Sequence, residues 1–278
     1  MSHASRRSLL LGAMSLSAIA CRKPSEPLPA VRCAVIGGMM KTGMWPELAR
    51  RFHQATGIAS DVIVTGSRDV IAPMMREGRV DLITMHESDT ITALVADGYA
   101  SEPRRWAEND HVIIGPKDDP AGIRGEKDAA QAVRRIVLAK APIVLHGKAD
   151  QVLGELARSA GVSLDDTSTL RPPHGARHAE TVRLAADRHA YSLVGKIPFY
   201  VGETYPPGVE LLVQGDPRLR KSYVVAIANP KRWRNARYES ARRLVAYLLE
   251  PRTQSWLADF GRGAPVDGPL FFPVIALR

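Results

Sequence analysis

The sequence predicts an α/β fold built on an open β-sheet, and three observations support that prediction. Short apolar runs alternate with amphipathic segments throughout the chain after residue 30. Three strand–helix units fall within residues 31–98, which is the pattern of an open α/β sheet. The length of 278 residues suits two lobes of about 100–150 residues each, with one large domain as the alternative.

The individual elements follow from apolar periodicity and from turn residues. Val31–Ile36 is a nearly apolar run that ends before two glycines, as a buried parallel strand does. A helix follows Thr42-Gly43 and closes near Gly57, and Ser67 is placed as the N-cap of a second helix. Further strands are predicted at Asp61–Val64, Asp81–Met85, His111–Gly115, Pro142–Leu145, Ala190–Val194, Val209–Val213 and Tyr223–Ala228. Further helices are predicted at Asp89–Asp97, Lys127–Lys140, Asp150–Ser159, Ala179–Arg188, Ala236–Leu249 and Arg252–Phe260.

The composition excludes several classes of protein. Hydrophobic residues make up 45% and charged residues 24%, which argues against intrinsic disorder. Two cysteines are too few for a disulfide scaffold or a cysteine-rich zinc module. No apolar run approaches the roughly 18 residues of a spanning helix, which argues against a polytopic membrane protein. The net charge of +9 permits nucleic acid, anionic lipid or an anionic ligand as a partner, without choosing among them.

Residues 1–20 are predicted to be an export signal. Arg6-Arg7 precedes an apolar stretch of signal-peptide length, which ends in small residues. Ala18–Cys21 resembles a bacterial lipobox, so lipid attachment at Cys21 is predicted, with a plain secretory signal as the alternative. Ser5–Leu10 also resembles a twin-arginine signal, which leaves the export route open.

Cleavage before Cys21 removes two arginines and no acids, so the net charge falls from +9 to +7. Residues 21–30 are rich in proline and are predicted to form an extended tether. Cys33 lies in the first apolar run and is predicted to be a buried small hydrophobic residue, with a disulfide to Cys21 as the alternative. Export argues against nucleic acid as a partner.

Ligands of open α/β sheets bind beyond the carboxyl ends of the strands, where helix N-termini present free N–H groups. The glycine-rich segment Gly37–Gly43 follows the first strand and could cradle an anion, although a tight turn explains it equally well. It lacks the spacing of a Walker A or dinucleotide-binding motif. The five candidate loops are Gly37–Gly43, Thr65–Ser67, His86–Asp89, His146–Asp150 and His174–Thr181.

Metal binding and catalysis have weak support in the sequence. His174 and His178 are four residues apart, as in a metal pair, but no carboxylate or thiolate has matching spacing, which favours a solvated helix entrance. No Gly-x-Ser-x-Gly nucleophile elbow is present, so no catalytic residue, cofactor or metal is predicted. Basic residues on or near the strand-end loops indicate either a shared positive cleft or ordinary surface placement: Lys41, His146, Lys148, Arg177, His178 and Lys196.

Several segments resemble one known family in the order in which they occur. They are Asn109–Ile123, Lys140–Pro142, Ala190–Leu193, Gly215–Pro217, Tyr223–Pro230, Phe260-Gly261 and Pro269–Pro273. Together they resemble the tungstate-binding proteins of bacterial ABC importers, a branch of the class II periplasmic solute-binding proteins. The resemblance covers essentially the whole mature chain.

The resemblance implies a two-lobed α/β fold with open mixed sheets, helices on both faces and a central cleft. Residues 31–113 and 222–278 would form lobe 1 and residues 114–221 lobe 2, with crossings near 112–116 and 220–224. Such proteins capture a solute by hinge closure and deliver it to a permease in the inner membrane. A monomer in the periplasm is implied, held at the membrane only through its lipid anchor.

The ligand implied by the resemblance is a small anion. Relatives carry a Thr/Ser-rich first loop, where this chain has Gly37–Met40 and only Thr42 as a hydroxyl donor. Their second-lobe loop is rich in hydroxyl and acidic residues, and His146–Leu153 keeps only its glycine. Each lost hydroxyl costs about 0.5–1.5 kcal/mol, so weak tungstate binding is expected unless Lys41, His146 and Lys196 compensate. The expected ligand residues are Gly38, Met39, Thr42, Thr65, Ser67, His86, His146, Gly147, Arg177, Thr181, Ser192 and Lys196.

The sequence therefore predicts an exported solute-binding protein of an ABC-type importer that captures a tungstate-like oxyanion or another small anion. One alternative is a ligand-sensing or accessory lipoprotein of the same fold, which regulates a partner instead of feeding transport. A hydrolase or metal-dependent enzyme is the third alternative.

Overall fold

The computed structural model describes residues 27–147, 149–176, 178–201, 206–261 and 269–275. The predicted export signal, the lipidation residue Cys21 and the start of the tether lie outside these ranges. Lys148 and Arg177 also lie outside them. None of the helices within these ranges is long and apolar enough to cross a membrane.

Strands and helices alternate through most of the described chain. The strands are β1 (Val31–Ile36), β2 (Ser60–Gly66), β3 (Leu82–His86), β4 (Ala100–Pro116), β5 (Ile143–Val144), β6 (Thr169–Leu170), β7 (Tyr191–Gly195), β8 (Val209–Val213), β9 (Arg220–Ala228) and β10 (Phe272–Pro273). The helices are α1 (Gly37–Lys41), α2 (Met44–Thr56), α3 (Arg68–Arg76), α4 (Asp89–Ala96), α5 (Ala129–Leu138), α6 (Ala149–Ser159), α7 (His178–Asp187), α8 (Lys196–Val201), α9 (Tyr238–Leu248) and α10 (Pro251–Asp259).

The strands form one mixed sheet in the order β2-β1-β3-β9-β4-β7-β5-β6, and β8 and β10 also pair with β4. β1 is parallel to β2 and β3, and β5 is parallel to β6 and β7, as strand–helix–strand units require. β9 returns antiparallel between β3 and β4. The sheet therefore has two parallel outer parts joined by long antiparallel strands.

β4 belongs to both parts of the sheet, and each part forms the core of one lobe. Its residues from Ala100 to Asp110 pair with β9, whereas those from His111 to Ile114 pair with β7. The partner of β4 thus changes between Asp110 and His111. The chain crosses between the two parts along β4 and returns along β9.

Helices cover both faces of each part of the sheet. In the first lobe, α2, α9 and α10 bury Trp45, Phe52 and Leu244 on one face, while α3 and α4 bury Met75 and Leu94 on the other. In the second lobe, α5 and α6 form one core with the sheet, and α7 forms another. This two-lobed α/β arrangement confirms the predicted fold class.

Two local predictions differ from the structure. β4 begins at Ala100, eleven positions before the predicted strand start at His111. The Gly37–Gly43 segment is mostly the short helix α1, and α8 was not predicted. Ser67 occupies the N-cap position of α3, but its hydroxyl makes no capping hydrogen bond. Cys33 is fully buried with a free thiol, as its apolar run predicts.

Gly115 gives a test of packing in the second lobe. A Cβ at this position would lie 2.5 Å from Cδ1 of Tyr191 and 2.8 Å from Cδ1 of Leu212. Tyr191 cannot move easily, because its hydroxyl donates to Asp119 and accepts from the N–H of Ala121. We expect Gly115→Ala to lower the free energy of unfolding by about 1–3 kcal/mol in urea denaturation.

Gly154 provides the matched control for that substitution. It lies within α6, and a Cβ built there meets no atom within 4 Å. Gly154→Ala should leave stability unchanged or raise it by up to about 1 kcal/mol, because alanine favours a helix. Equal stability of the two variants would contradict the packing explanation.

Candidate ligand-binding cleft

Two adjoining cavities lie between the lobes. The first chamber has a volume of about 600 Å³ and is bounded by Arg68 of α3 and by His146 and Thr181 of the second lobe. The second chamber has a volume of about 540 Å³ and is bounded by α1 and α8. Both have the size of sites for small ligands. Three side chains line both chambers: His86, His178 and Lys221.

The strands of the first lobe position the residues at the junction of the two chambers. His86 ends β3, and Lys221 lies beside Asn109 in the β4–β9 ladder. The His86 ring stacks on Tyr223 with centroids 4.1 Å apart, and its Nε2 lies 3.1 Å from Oδ1 of Asn109. Because Lys221 and Tyr223 are two residues apart on β9, both side chains face the same side of the sheet.

The imidazoles around the junction are neutral at neutral pH. Burial, with the charge of Lys221 as the second cause, lowers the pKa of both His86 and His111 to about 3. Burial, together with His146 and Lys221, lowers the pKa of His178 to about 4. A neutral imidazole can offer one N–H donor and one acceptor without adding charge.

Lys221 carries the central charge of the cleft. Burial lowers its pKa to about 8, Asp110 acts in the opposite direction, and Arg68 lowers the pKa further. Within the described residues, the ammonium has neither a hydrogen-bond partner nor an ion-pair partner. A Cβ at Gly195 would lie 3.9 Å from Nζ of Lys221, so this side chain of the crossing segment 220–224 reaches the end of β7.

The remaining charges in the first chamber are mainly positive. Arg68 and Arg220 line it, and Arg220 lies 3.8 Å from Glu108 at a partly exposed site. The acid that lines the chamber, Glu87, is paired with Arg105 at 2.7 Å. The first chamber therefore presents more positive than negative charge.

The second chamber is also positive, with an apolar wall. Lys41 and Arg183 line it together with Lys221, and none of its described lining residues is a carboxylate. Positive charge without a facing acid favours an anion.

Six of the residues predicted from the sequence line the chambers. Gly38 and Ser67 border the second chamber, and His86 borders both. The first chamber is lined by His146, Gly147 and Thr181, and the Thr181 hydroxyl lies 2.8 Å from Nδ1 of His146.

Five other predicted residues do not line either chamber. Met39 is fully buried in the core beneath α1, and Thr65 is exposed on β2. The hydroxyls of Thr42 and Ser192 donate to the carbonyls of Gly38 and Val144 at 2.9 and 3.0 Å. The buried ammonium of Lys196 donates to the carbonyl of Pro269 at 3.2 Å. The structure therefore does not bring these five residues to the chambers with the other six, and their role in binding stays a prediction.

Sequence reasoning missed Lys221, Arg68 and His111. The predicted ligand residues come mainly from loops that follow strands, whereas Lys221 lies within the predicted crossing segment 220–224. In a two-lobed protein the crossing segments border the cleft, so the position of Lys221 in such a segment could have identified it as a candidate ligand residue. Arg68 opens α3 immediately after Ser67, and only the residue before it was selected.

The histidines in the described part of the chain do not form a recognisable metal site. His178 and His146 both line the first chamber, whereas His174 does not. Among the described residues, no group of three or more histidine, cysteine, aspartate or glutamate side chains is placed to hold a metal ion.

A two-lobed α/β fold with a cleft of ligand size between its lobes is the architecture of a solute-binding protein. Comparison with known proteins gives the same class: the chain belongs to the family of bacterial extracellular solute-binding proteins, whose model matches residues 31–262. The tungstate-binding protein TupA of Peptoclostridium acidaminophilum is 24% identical over 235 residues, which span 84% of this chain and 81% of that protein.

Solved structures are similar over most of the chain. The tungstate-binding protein TupA from Desulfovibrio alaskensis has a TM-score of 0.70 and 25% identity, with 89% of this chain and 100% of that chain covered. The tungstate ABC transporter protein from Geobacter sulfurreducens has a TM-score of 0.65 and 24% identity, with 83% and 98% covered. The similarity to the Geobacter sulfurreducens protein supports the fold alone, because the sequence identity is below 25%.

Proposed function

We propose that this protein is the exported solute-binding component of an ABC-type importer, and that it captures a small anion by closure of the cleft. The half-buried ammonium of Lys221, which borders both chambers and makes no hydrogen bond or ion pair with the described residues, carries this proposal. Partial burial of a charge without a directly paired group costs free energy, and an anionic ligand would supply the missing partner. The relatives named as tungstate-binding proteins agree with an anionic solute.

Closure would bring the two lobes together about β4 and β9. The change in pairing of β4 between Asp110 and His111 supports lobe boundaries close to residues 113/114 and 221/222. Hinge motion of this kind needs changes in only a few backbone torsions at the crossing segments.

The remaining parts of the proposal concern location and partners. Export through residues 1–20 and lipid attachment at Cys21 would hold a monomer in the periplasm, next to an inner-membrane permease. Capture followed by delivery needs no bond to be broken, so no catalytic step is proposed. Arg177 stays in the proposed ligand set, although it lies outside the described residues.

A thermal-shift panel of the purified protein tests the proposal. Tungstate, molybdate, sulfate, phosphate, phosphonates and carboxylates would each be added at increasing concentration. A true ligand at 100 times its dissociation constant stabilises the folded state by about 2.7 kcal/mol, so its melting temperature should rise with concentration. The absence of a shift with every anion would overturn capture of an anion.

Transport and sensing require a second measurement. Uptake of the identified anion should fail in cells that lack the protein and return when it is restored. Normal uptake in the deletion strain would favour the alternative, a lipoprotein of the same fold that regulates a partner.

A further inference from the structure

The chemical class of the anion that binds in the cleft can be specified further, and this inference rests on the proposed function. We infer that the solute is an organic anion with a compact acidic group and an apolar portion. The acidic group binds at Lys221, at the junction of the chambers, and the apolar portion occupies the second chamber.

Lys221 fixes the position of the acidic group. Among the described residues it is the one lysine or arginine that lines both chambers. His111 lines the first chamber, and its Nδ1 is buried without a hydrogen-bond partner among the described residues. An acidic group with several oxygens could satisfy both atoms, through a charge-assisted hydrogen bond to Lys221 and through its own proton or a tautomer of His111.

The second chamber has an apolar wall assembled from both lobes. Ile36 at the end of β1 lines this chamber together with Ile197, Pro198 and Val201 of α8. A Cβ at Gly38 would lie 3.3 Å from Cγ2 of Ile197, so α1 and α8 are already close. Such a wall stabilises an apolar group at about 25 cal/mol for each square ångström removed from water.

An inorganic oxyanion would use this site poorly. It needs donors on all sides, and the side chains of Ile36, Ile197, Pro198 and Val201 offer none, so part of its hydration would be lost where it contacts them. Of the five hydroxyl residues expected at the site, only Ser67 and Thr181 line a chamber. The two chambers also extend well beyond the room that one small oxyanion requires. Closure can reduce that volume, but it cannot turn the apolar wall into a polar one.

Two ligand series test the inference by isothermal titration calorimetry on the purified protein. One runs from methylphosphonate through butylphosphonate to phenylphosphonate, and the other from acetate through hexanoate to phenylacetate, with tungstate and sulfate as inorganic probes. We expect affinity to rise at least about tenfold along one series, because each buried CH₂ contributes about 0.8 kcal/mol. The best organic ligand should also bind more tightly than tungstate.

A matched pair of variants locates the apolar portion. Val201 and Val245 are both half-buried against the same first-lobe core, but only Val201 lines the second chamber. Val201→Thr should weaken the longest ligand about three- to tenfold and leave methylphosphonate or acetate unchanged, whereas Val245→Thr should change neither. Because threonine has the shape of valine, both variants should fold.

The outcomes separate this inference from the proposed function. Tungstate binding above every organic anion, or a flat response along both series, would overturn the organic ligand and leave anion capture standing. Failure of every probe to bind would overturn both. Organic binding that is unaffected by Val201→Thr and survives Lys221→Met would place the ligand elsewhere and contradict the inference.

Discussion

Replacing Lys221 with methionine should weaken binding of the anion by about 10- to 150-fold, which corresponds to the loss of about 1.5–3 kcal/mol from one charge-assisted hydrogen bond. Methionine keeps the length and volume of the side chain, so the cleft should retain its shape. Isothermal titration with the ligand from the anion panel measures the change. Lys231→Met is the control, because Lys231 is exposed and lies outside both chambers.

The same substitution should stabilise the ligand-free protein. Burial lowers the pKa of Lys221 to about 8, so folding disfavours its charged form at pH 7. Removing the charge should raise the free energy of unfolding by about 1–3 kcal/mol, as measured by urea denaturation. Weaker anion binding together with higher stability would show that Lys221 serves ligand binding at a cost in stability. Weaker binding together with lower stability would instead indicate a structural role for Lys221.

The pH dependence of binding follows from the same group. Lys221 is protonated below pH 8 and loses its charge as the pH rises through that value. Anion affinity should therefore decline above pH 8, and His86, His111 and His178 should not contribute to this decline, because they are already neutral at pH 7. Lys221→Met should remove the decline, which excludes a contribution from the ligand's own titration.

Asp81→Ala should cause the largest loss of stability, about 3–5 kcal/mol. The buried carboxylate accepts two hydrogen bonds from the Arg32 guanidinium, at 3.0 and 2.6 Å, and one from the Arg32 N–H at 2.8 Å. A fourth comes from the N–H of Arg237 at the start of α9, at 3.0 Å. Alanine would leave these donors and a partly buried guanidinium unpaired, and urea denaturation would measure the cost.

An exposed ion pair provides the control for Asp81. Glu47 contacts Arg50 and Arg51 on the surface of α2, and Glu47→Ala should cost less than about 1 kcal/mol. Burial opposes the ionised form of Asp81, yet the hydrogen bonds from Arg32 and Arg237 lower its pKa below the usual value. Its contribution is therefore present above the unfolded pKa near 4 and disappears as the pH falls through the lower, folded value. Equal losses in the two variants would show that burial does not decide the effect.

The elements that were predicted correctly are those marked by a local pattern in the sequence, such as apolar periodicity. β1 is an apolar run before two glycines, and its observed limits match the prediction. The first part of β4 escaped detection because Ala100–Asp110 is mostly polar and contains Pro103. This stretch is a strand because it pairs with β9, more than one hundred residues away, through a ladder with two register shifts.

The ligand site was predicted less well because it depends on tertiary contacts. His86, His146 and Thr181 were selected as strand-end or loop residues, and all three line the chambers. The bonds of Thr42 and Ser192 to backbone carbonyls cannot be read from residue type alone. Lys221 can be recognised as a candidate only in the folded structure, where β9 lies between β3 and β4 and the Lys221 side chain reaches the end of β7.

The location of Lys221 on β9 has a kinetic consequence. In the proposed closure, a residue on a connecting strand would lie near the hinge axis and move less than residues at the rims of the cleft. Lys221 would then attract an anion before the lobes close, so the association rate should depend on ionic strength, as electrostatic steering predicts. Dissociation of the anion would instead be limited by reopening of the cleft, so the dissociation rate should be much less sensitive to salt.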